Sequence, residues 1–275
     1  MLDGAPPAIA IQRSTGSAQA MFRRDAGRLR IARFAQSGSA KVMMPRSHGP
    51  VPEIVFLNTS GGLTGGDRLD WSLDLGAGVD LVATTQTAER AYASSGGRAE
   101  VRVTLGLGDD ARLDWLPQET ILFDASALGR RTLADLGAGA RFLFCEMVVL
   151  GRAAMGEHLR QVALSDWREI RREGRPVLVE PLRLTDASLS GSAAMLGAHR
   201  AVATIALVAP GAELMLEQVR AALPADGPVE AAASAWNGKC VVRLLAADAL
   251  PLKRAVAAVL HLLRGGRPLP RVWQI

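Results

Sequence analysis

Residues 69–75 have the sequence Leu-Asp-Trp-Ser-Leu-Asp-Leu, and residues 101–108 have the sequence Val-Arg-Val-Thr-Leu-Gly-Leu-Gly. In both stretches apolar side chains occupy every second position. A strand places successive side chains on opposite faces of its sheet, so a period of two gives the strand one apolar face. This pattern dominates from about residue 28 to residue 208 and predicts a mainly β fold.

Short glycine-rich segments separate the strand-like runs. They lie at residues 76–78, 96–97, 106–108 and 137–139. Strands separated by turns at intervals of roughly 8–12 residues are typical of a layered β structure. The spacing fits a sandwich, a barrel or a helical stack of strands equally well. We interpret the chain as a single domain, residues 1–275, in which about the first 20 residues are poorly ordered.

The last quarter of the chain follows a different period. Apolar residues at positions 215, 219, 222 and 223, and again at 252, 256, 259, 260 and 263, recur at helical spacing. Asp248 is a candidate N-cap of the second helix, and Gly265 with Gly266 could end it. Between the helices, Asn237-Gly238 separates two strand-like runs and indicates a hairpin. About residues 211–275 are therefore predicted to form a helix–hairpin–helix portion that packs on the β body.

The net charge of +5 comes from 32 basic and 27 acidic residues, and the basic residues are almost all arginine. These arginines are spread along the chain, and aromatic residues make up only 4% of it. Nucleic-acid binding usually calls for basic clusters interleaved with aromatic residues, so the composition argues against it. Two interpretations remain for the arginines: a simply solvated surface, or pairing with an acidic protein partner.

Three features bear on the compartment. Residues 1–16 contain an early acid, Asp3, and lack the basic start and apolar run of a signal peptide. The longest apolar run, residues 201–210, is too short to span a bilayer. Cys145 and Cys240 lie far apart and in no Cys-x-x-Cys motif, which argues against a structural zinc site and a disulfide framework. We expect a cytoplasmic protein that is not attached to a membrane.

The most unusual segment is residues 57–67, Leu-Asn-Thr-Ser-Gly-Gly-Leu-Thr-Gly-Gly-Asp. Its glycines, Gly61, Gly62, Gly65 and Gly66, suggest a backbone that turns sharply or is approached closely. One interpretation is a phosphate loop in a nucleotide-binding protein or an enzyme. However, the segment lacks the GxxxxGK[ST] pattern, and a strand-like run follows it instead of a helix. A tight β turn and a functional loop are the other interpretations.

Two further segments mix polar and apolar residues. Residues 84–92, Thr-Thr-Gln-Thr-Ala-Glu-Arg-Ala-Tyr, carry groups that could form a hydrogen-bonded network around a polar core or cavity. Their tyrosine, Tyr92, also fits a plain core aromatic. Residues 115–123, Trp-Leu-Pro-Gln-Glu-Thr-Ile-Leu-Phe, place Gln118 and Glu119 between apolar stretches, where a polar pair needs partners.

Together and in this order, these three segments resemble the signature segments of the UreD (also called UreH) family of urease accessory proteins. Matching stretches follow at residues 150–157, 176–180 and 269–273, so the resemblance extends from about residue 20 to the C-terminus. It implies a mainly β fold of stacked strands with C-terminal helices.

The resemblance also implies a non-catalytic factor in urease maturation. The implied partners are the urease apoprotein, the helical accessory protein UreF and the GTPase UreG, and UreF could join two such heterocomplexes into a dimer. The nickel ion would be carried transiently, with no tightly bound cofactor.

Some members of the family are proposed to contain a water-filled passage for the ion, and Glu146 and Glu180 match acidic residues proposed to line it. Each lies in or beside an apolar run, where a carboxylate is costly to bury unless it is paired or hydrated. The alternative is a structural ion pair with a nearby arginine, such as Arg152 or Arg183.

The remaining candidates are of second rank. They are Asp67, Glu119 and His158, and we expect Arg90 to be an ion-pair partner. The histidines at 48, 158, 199 and 261 show no spacing that would form an obvious chelate. Transfer of an ion requires weak ligands that release it. The loop containing Gly61–Gly66, with Arg90 and Tyr92, is expected to lie near the passage or a partner surface.

Overall fold

The computed structural model describes residues 12–46, 49, 51–192 and 194–273. In these residues the chain forms two β-sheets and two α-helices. The first sheet has seven strands, in spatial order β14 (Arg175–Leu184), β13 (Val162–Arg172), β11 (Ser126–Leu136), β8 (Ala99–Leu107), β5 (Arg68–Leu75), β1 (Thr15–Asp25) and β2 (Arg28–Gly38).

The second sheet has ten strands. Eight follow the order β16 (Val229–Trp236), β17 (Lys239–Ala246), β15 (Ala201–Val208), β12 (Arg141–Leu150), β9 (Arg112–Leu116), β6 (Asp80–Thr85), β4 (Glu53–Asn58) and β3 (Ala40–Met43), while β10 (Thr120–Leu122) pairs with β12 and with β7 (Glu89–Ala91).

Successive strands of the central region alternate between the two sheets. In the first sheet β5, β8, β11 and β13 are parallel, and in the second sheet β4, β6, β9 and β12 are parallel. Each of these coils thus adds one long strand to each sheet, and two coils also add the short strands β7 and β10 to the second sheet. The glycine-rich turns stack on one another: the Gly108 amide donates to the Leu75 carbonyl and the Gly137 amide to the Leu107 carbonyl, both at 2.7 Å. The mainly β prediction is confirmed, and the architecture is the helical stack.

Strand β12 separates two apolar cores. Phe142 and Phe144 pack in the core between the sheets, whereas Leu143 and Cys145 pack in the core under the helices. Because both faces of β12 are covered, its sequence is almost continuously apolar instead of alternating. The exceptions are Arg141, at the start of the strand, and Glu146.

The C-terminal portion is confirmed as helix, hairpin and helix. The helices are α1 (Leu216–Ala222) and α2 (Ala249–Leu263), and neither they nor the other helical turns of the described residues are long and apolar enough to cross a membrane. Asn237 and Gly238, both with positive φ, join β16 to β17. The Asp248 carboxylate accepts from the Leu250 amide at 3.1 Å and caps α2, and Gly265 follows the helix end with φ of 65°.

The predicted disorder of about the first 20 residues is wrong for residues 15–20. These residues begin β1, which pairs in parallel with β5 and antiparallel with β2. Ala18 and Ala20 are buried there. Alanine is too weakly apolar for the alternation to stand out in the sequence, and the ladder with β5 is made between residues far apart in the chain. Residues 1–11 lie outside the described residues.

A buried ionic cluster joins the end of α2 to the second sheet. The Asp114 carboxylate of β9 accepts from Arg264 Nε and from Arg141 Nη1, each at 2.8 Å. Arg141 also donates to the Leu263 carbonyl at 2.7 Å. Asp114 is 2% exposed and Arg264 is 6% exposed, so water cannot solvate their charges. The attraction between the two side chains must therefore offset the free energy of removing them from water.

Replacing Asp114 by alanine is therefore expected to lower the free energy of unfolding by about 3–5 kcal/mol, because it leaves the Arg264 guanidinium buried without its carboxylate. Urea denaturation measures this loss. As a control, Asp248→Ala removes only a helix cap and should cost about 1 kcal/mol. Equal losses in the two variants would contradict the role of Asp114.

Candidate functional site

Glu146 and Glu180 both line one cavity between the sheets, which we name the outer cavity. It has a volume of about 340 Å³, and its walls include β14 on one side and β15 with β17 on the other. Arg243, whose side chain is 58% exposed, stands where the cavity meets solvent. The two carboxylates are separated by 34 positions in the chain, and the stacking of the coils brings them to the same space.

Two smaller, separate cavities lie in the layer between the sheets and adjoin one another and the outer cavity. The central cavity, of about 30 Å³, shares Glu146 with the outer cavity. The loop cavity, of about 50 Å³, shares Trp71, Thr85 and Glu89 with the central cavity. Its walls also include Gly61 and the exposed residue Arg90. The three cavities therefore adjoin in the order loop, central and outer, and we name this series the cavity line. Glu89 and Glu146 mark the two partitions between neighbouring cavities.

Four charged side chains, including Glu146, form a network where the central and outer cavities adjoin. Arg130 of β11 has Nη1 2.6 Å from Glu146 Oε2, and its Nε donates to Asp166 Oδ1 at 3.0 Å. Arg168 donates from Nε to Asp166 Oδ2 at 3.0 Å. None of the four is more than 8% exposed. The structural alternative considered from sequence paired Glu146 with Arg152 or Arg183, but its partner is Arg130.

This network sets opposite pKa shifts on its two carboxylates. Desolvation raises the pKa of Glu146, against the attraction of Arg130. Burial also acts to raise the pKa of Asp166, but the nearby guanidinium groups of Arg130 and Arg168 outweigh it and lower that pKa. Burial alone would lower the pKa of Arg130, and Asp166 and Glu146 raise it instead. Of the two carboxylates, Asp166 is therefore the one whose charged form is more strongly stabilised, and Glu146 is the one that is easier to neutralise.

The walls of the central cavity carry polar atoms without a hydrogen-bond partner among the described residues. They are Trp71 Nε1, Trp115 Nε1 and Glu146 Oε2, whose close contact with Arg130 lacks hydrogen-bond geometry. Buried polar atoms of this kind are normally satisfied by ordered water, and a cavity of this size has room for it. The central cavity therefore has room for water beside these atoms, although most of its wall is apolar.

Glu180 is held at the rim of the outer cavity. Its Oε1 accepts from Thr204 Oγ1 and its Oε2 from Arg243 Nη2, both at 2.8 Å. Arg152 instead pairs with Glu157 at 2.8 Å. Among the described residues, Arg243 is therefore the one cationic side chain within 4.0 Å of Glu180, and it lies on the solvent side. Glu180 also forms part of the wall of the outer cavity.

Glu89 is a member of this line that the sequence candidates omitted. Asn58 Nδ2 donates to both of its carboxylate oxygens at 3.2 Å, and the Arg90 amide donates to Oε1 at 3.1 Å. Desolvation raises the pKa of Glu89 to about 7, against these hydrogen bonds. The sequence signal that could have identified Glu89 was the polar segment at residues 84–92, where a hydrogen-bonded network around a polar core or cavity was expected.

The glycine loop packs against the strand that carries Glu89. The Leu63 amide donates to the Arg90 carbonyl at 2.7 Å, and Tyr92 Oη donates to the Gly61 carbonyl at 3.1 Å. The Arg90 guanidinium also donates to Gly61, at 3.4 Å, and has no carboxylate within 4.0 Å among the described residues, so the expected ion pair is not formed. Tyr92 is 37% exposed and lies edge-on to Phe123, so it is not a fully buried core aromatic.

Two glycines of this loop are required by close approach. A side chain at Gly62 would overlap the Tyr92 ring and the Arg90 carbonyl, and one at Gly65 would overlap Ser94 and the Gly96 carbonyl. Gly61 and Gly66 have φ of 82° and 93°, which favours glycine. Strand β5 follows the loop, so no helix N-terminus of the described residues faces it, and the phosphate-loop interpretation gains no support.

The second-rank candidates do not line these cavities. Asp67 accepts from the backbone amides of Ser14 and Thr64, at 2.7 and 2.8 Å, and so shapes the loop. Glu119 pairs with Lys253 of α2 at 3.0 Å. His158 is exposed. His48 lies outside the described residues, and those residues contain no group of three or more His, Cys, Asp or Glu that could hold a metal ion.

Comparison with known proteins gives the family. The sequence profile described as "UreD urease accessory protein" matches residues 14–274. The chain belongs to the UreD family. It is 60% identical over 271 residues to a "Urease accessory protein UreD" of Cereibacter sphaeroides, with 98% of both chains covered. It is 56% identical over 266 residues to the protein of that name from Dinoroseobacter shibae, with 96% of this chain and 94% of the relative covered.

Membership places the chain among urease accessory proteins and implies a role in urease maturation, which suggests a non-catalytic function. The resemblance found in the sequence segments is thereby confirmed.

Replacing Gly65 by valine should distort the loop, because its side chain would overlap Ser94 and the Gly96 carbonyl. Of the two reasons that the sequence offered for these glycines, a sharp turn and a close approach, close approach applies at Gly65. We expect lower urease nickel content after co-expression with Gly65→Val. The matched control is Gly96→Val in the opposing loop, where an added Cβ meets no atom within 4 Å. Normal nickel content with Gly65→Val would show that the loop tolerates the change.

Glu89 should make stability depend on pH. Its pKa is raised from 4.5 to about 7 in the folded chain, so between these values the folded state binds more protons than the unfolded state and stability falls as pH rises. Glu89→Gln removes this loss and should gain up to about 3 kcal/mol over wild type above pH 7, and little below pH 4.5.

Urea unfolding at about pH 5 and about pH 8 measures the difference. Glu217→Gln, at a side chain that is 83% exposed, is the control. A difference between Glu89→Gln and wild type that does not change with pH would contradict the raised pKa.

Proposed function

We propose that this chain is a non-catalytic scaffold of urease maturation that binds the urease apoprotein, UreF and UreG, and through which nickel ions pass from the GTPase side to urease. The observation that carries the proposal is the line of three cavities between the sheets, with a carboxylate at each partition and another at the outer rim. Nickel is cargo in this proposal and is bound only transiently.

The ligand chemistry supports transfer over storage. The line offers single carboxylates, Glu89, Glu146 and Glu180, in succession instead of a cluster of imidazoles or thiolates. Tight nickel sites generally use imidazole or thiolate ligands. Conduction requires sites that attract an ion and still release it to the next site. Spaced carboxylates in hydrated cavities meet both conditions.

Arg130 supplies a counter-charge at the narrowest part of the line. A divalent cation 4 Å from a guanidinium is repelled by about 8 kcal/mol at an effective dielectric constant of 20. The ion therefore cannot share Glu146 with Arg130 in the arrangement that the structure has. Passage requires the Arg130 side chain to turn toward Asp166, which already accepts from it and stays charged. The ion would then replace Arg130 at Glu146.

The polar rim at each end supports contact with partners. Arg90 and Tyr92 are exposed beside the loop cavity, and Arg243 is exposed beside the outer cavity. Neither mouth has the stacked aromatic residues of a nucleic-acid channel. A cytoplasmic complex, doubled through UreF, fits these features and the family relationship.

The test is the double variant Glu146→Ala/Glu180→Ala, co-expressed with urease and the other accessory proteins. It should still be recovered in the complex, because both residues are inside the cavity line, but urease should contain several-fold less nickel per complex. The control is Glu217→Ala/Glu230→Ala, which changes the net charge equally at side chains that are 83% and 71% exposed.

Glu146→Ala removes a carboxylate and packing volume beside the buried Arg130, and this could disturb the fold. The double variant Glu146→Gln/Glu180→Gln is therefore measured as well. The glutamines keep the packing volume and remove the charge. Wild-type nickel content in intact complexes of both double variants would refute the route and leave Glu146 and Glu180 as ion-pair residues.

A further inference from the structure

Residues 21–46 carry an excess of positive charge. They contain seven of the 32 basic residues and one of the 27 acidic residues, so the rest of the chain has 25 basic and 26 acidic residues. Arginines occur along the whole chain, as the sequence indicated, but acidic residues are scarce in this segment. The basic residues of the segment are Arg23, Arg24, Arg28, Arg30, Arg33, Lys41 and Arg46.

These cations lie on and beside β2, and most of them are free of carboxylates. All six arginines of the segment are exposed. Among the described residues, the one carboxylate within 4.0 Å of any of these cations is Asp25, which is 3.8 Å from Arg30. We name this surface, β2 with the end of β1 and the exposed residues after β3, the arginine edge.

Strand β2 ends the first sheet. It pairs with β1 through ten of its eleven residues, with a bulge at Ala32, and on its other side it pairs with no strand of the described residues. An edge strand of this kind presents a row of backbone amides and carbonyls that another strand can pair with. The row here is about 35 Å long.

Apolar side chains accompany the open backbone row. Ile31 lies opposite the buried Phe22 and Phe34 opposite the buried Ala20, so both project toward the inner face of the first sheet. They are nevertheless 52% and 40% exposed. Gln36 accepts from the Val42 amide at 2.9 Å and so brings β3 close, and the neighbouring Met43 is 57% exposed.

We propose that the arginine edge is a docking site for an extended acidic segment of a partner protein, which adds to the first sheet beside β2. Backbone pairing and alternating side-chain contacts are the recognition mode of added strands. Charge complementarity selects the acidic occupant. A second copy of this chain is a poor occupant, because arginines of the two β2 strands would face one another.

The proposal favours protein over nucleic acid for two reasons. The open backbone row has hydrogen-bond donors and acceptors at the spacing of another polypeptide strand. Single-stranded nucleic acid, in contrast, is held by several stacked aromatic residues, and Phe34 is the one exposed aromatic residue on the described part of this edge. The proposal does not depend on the nickel route.

The probe is a capped, fluorescently labelled eleven-residue peptide in which glutamate alternates with valine and threonine. Binding to the full-length chain is measured by fluorescence anisotropy at low ionic strength. The same peptide N-methylated at alternate residues keeps its charge and loses half of its backbone donors. We expect it to bind about tenfold more weakly.

The protein variant is Arg28→Glu/Arg30→Glu/Arg33→Glu, for which binding should fall by about a hundredfold. Its matched control is Arg102→Glu/Arg131→Glu/Arg254→Glu, three exposed arginines away from β2, which should leave binding within about threefold of wild type. Circular dichroism checks that each variant is folded.

Four results would overturn the proposal. They are absence of binding to wild type, equal binding of the N-methylated peptide, tighter binding of oligothymidine or phosphatidylserine vesicles than of the peptide, and binding that appears only after residues 1–11 are removed. The last would show that the chain's own N-terminus occupies the edge.

Discussion

The contact between Arg130 and Glu146 joins the two sheets at the point where their apolar core is interrupted. Removing a guanidinium and a carboxylate from water has a penalty of several kcal/mol for each ion, and one ion pair rarely repays it. Asp166 and Arg168 extend the pair into a network of two acids and two bases, so that the net charge of the group is zero. The network can therefore stay buried between the sheets.

Although its zero net charge lets the network stay buried, the sheets do not pack closely around it, and cavities persist on both sides. Charged groups cannot fill the space between sheets as tightly as interdigitated apolar side chains do, because each must keep a geometry set by its partner. The central and outer cavities adjoin Glu146, and the loop cavity adjoins Glu89. In a packed protein interior, polar atoms without protein partners indicate space for water.

The sequence was informative wherever a strand or helix determines its own pattern. Alternation predicted the strands, and the interruption of an apolar run predicted Glu146 as a buried charge. Asn237-Gly238 and Asp248 predicted the hairpin and the cap, because turn and cap chemistry is local. These features require no knowledge of which strands become neighbours.

Partners separated in the chain could not be predicted in this way. Glu146 meets Arg130 and Glu180 meets Arg243 only because the coils stack and the C-terminal hairpin adds to the second sheet. Glu89 was hidden in a segment whose polar residues looked equivalent. Its importance comes from its position between two cavities, which is a property of the assembled layers.

The coiled architecture also separates the proposed interior route from the exterior surface. In a stack of parallel coils every internal strand has two neighbours, so open edges occur only at the ends of each sheet. In the first sheet these ends are β14, which forms a wall of the outer cavity, and β2, which carries the arginines. Six strands would separate a segment added beside β2 from β14, so it could be held without closing the mouth near Glu180. Binding a partner and keeping an internal passage open are therefore compatible in one small chain.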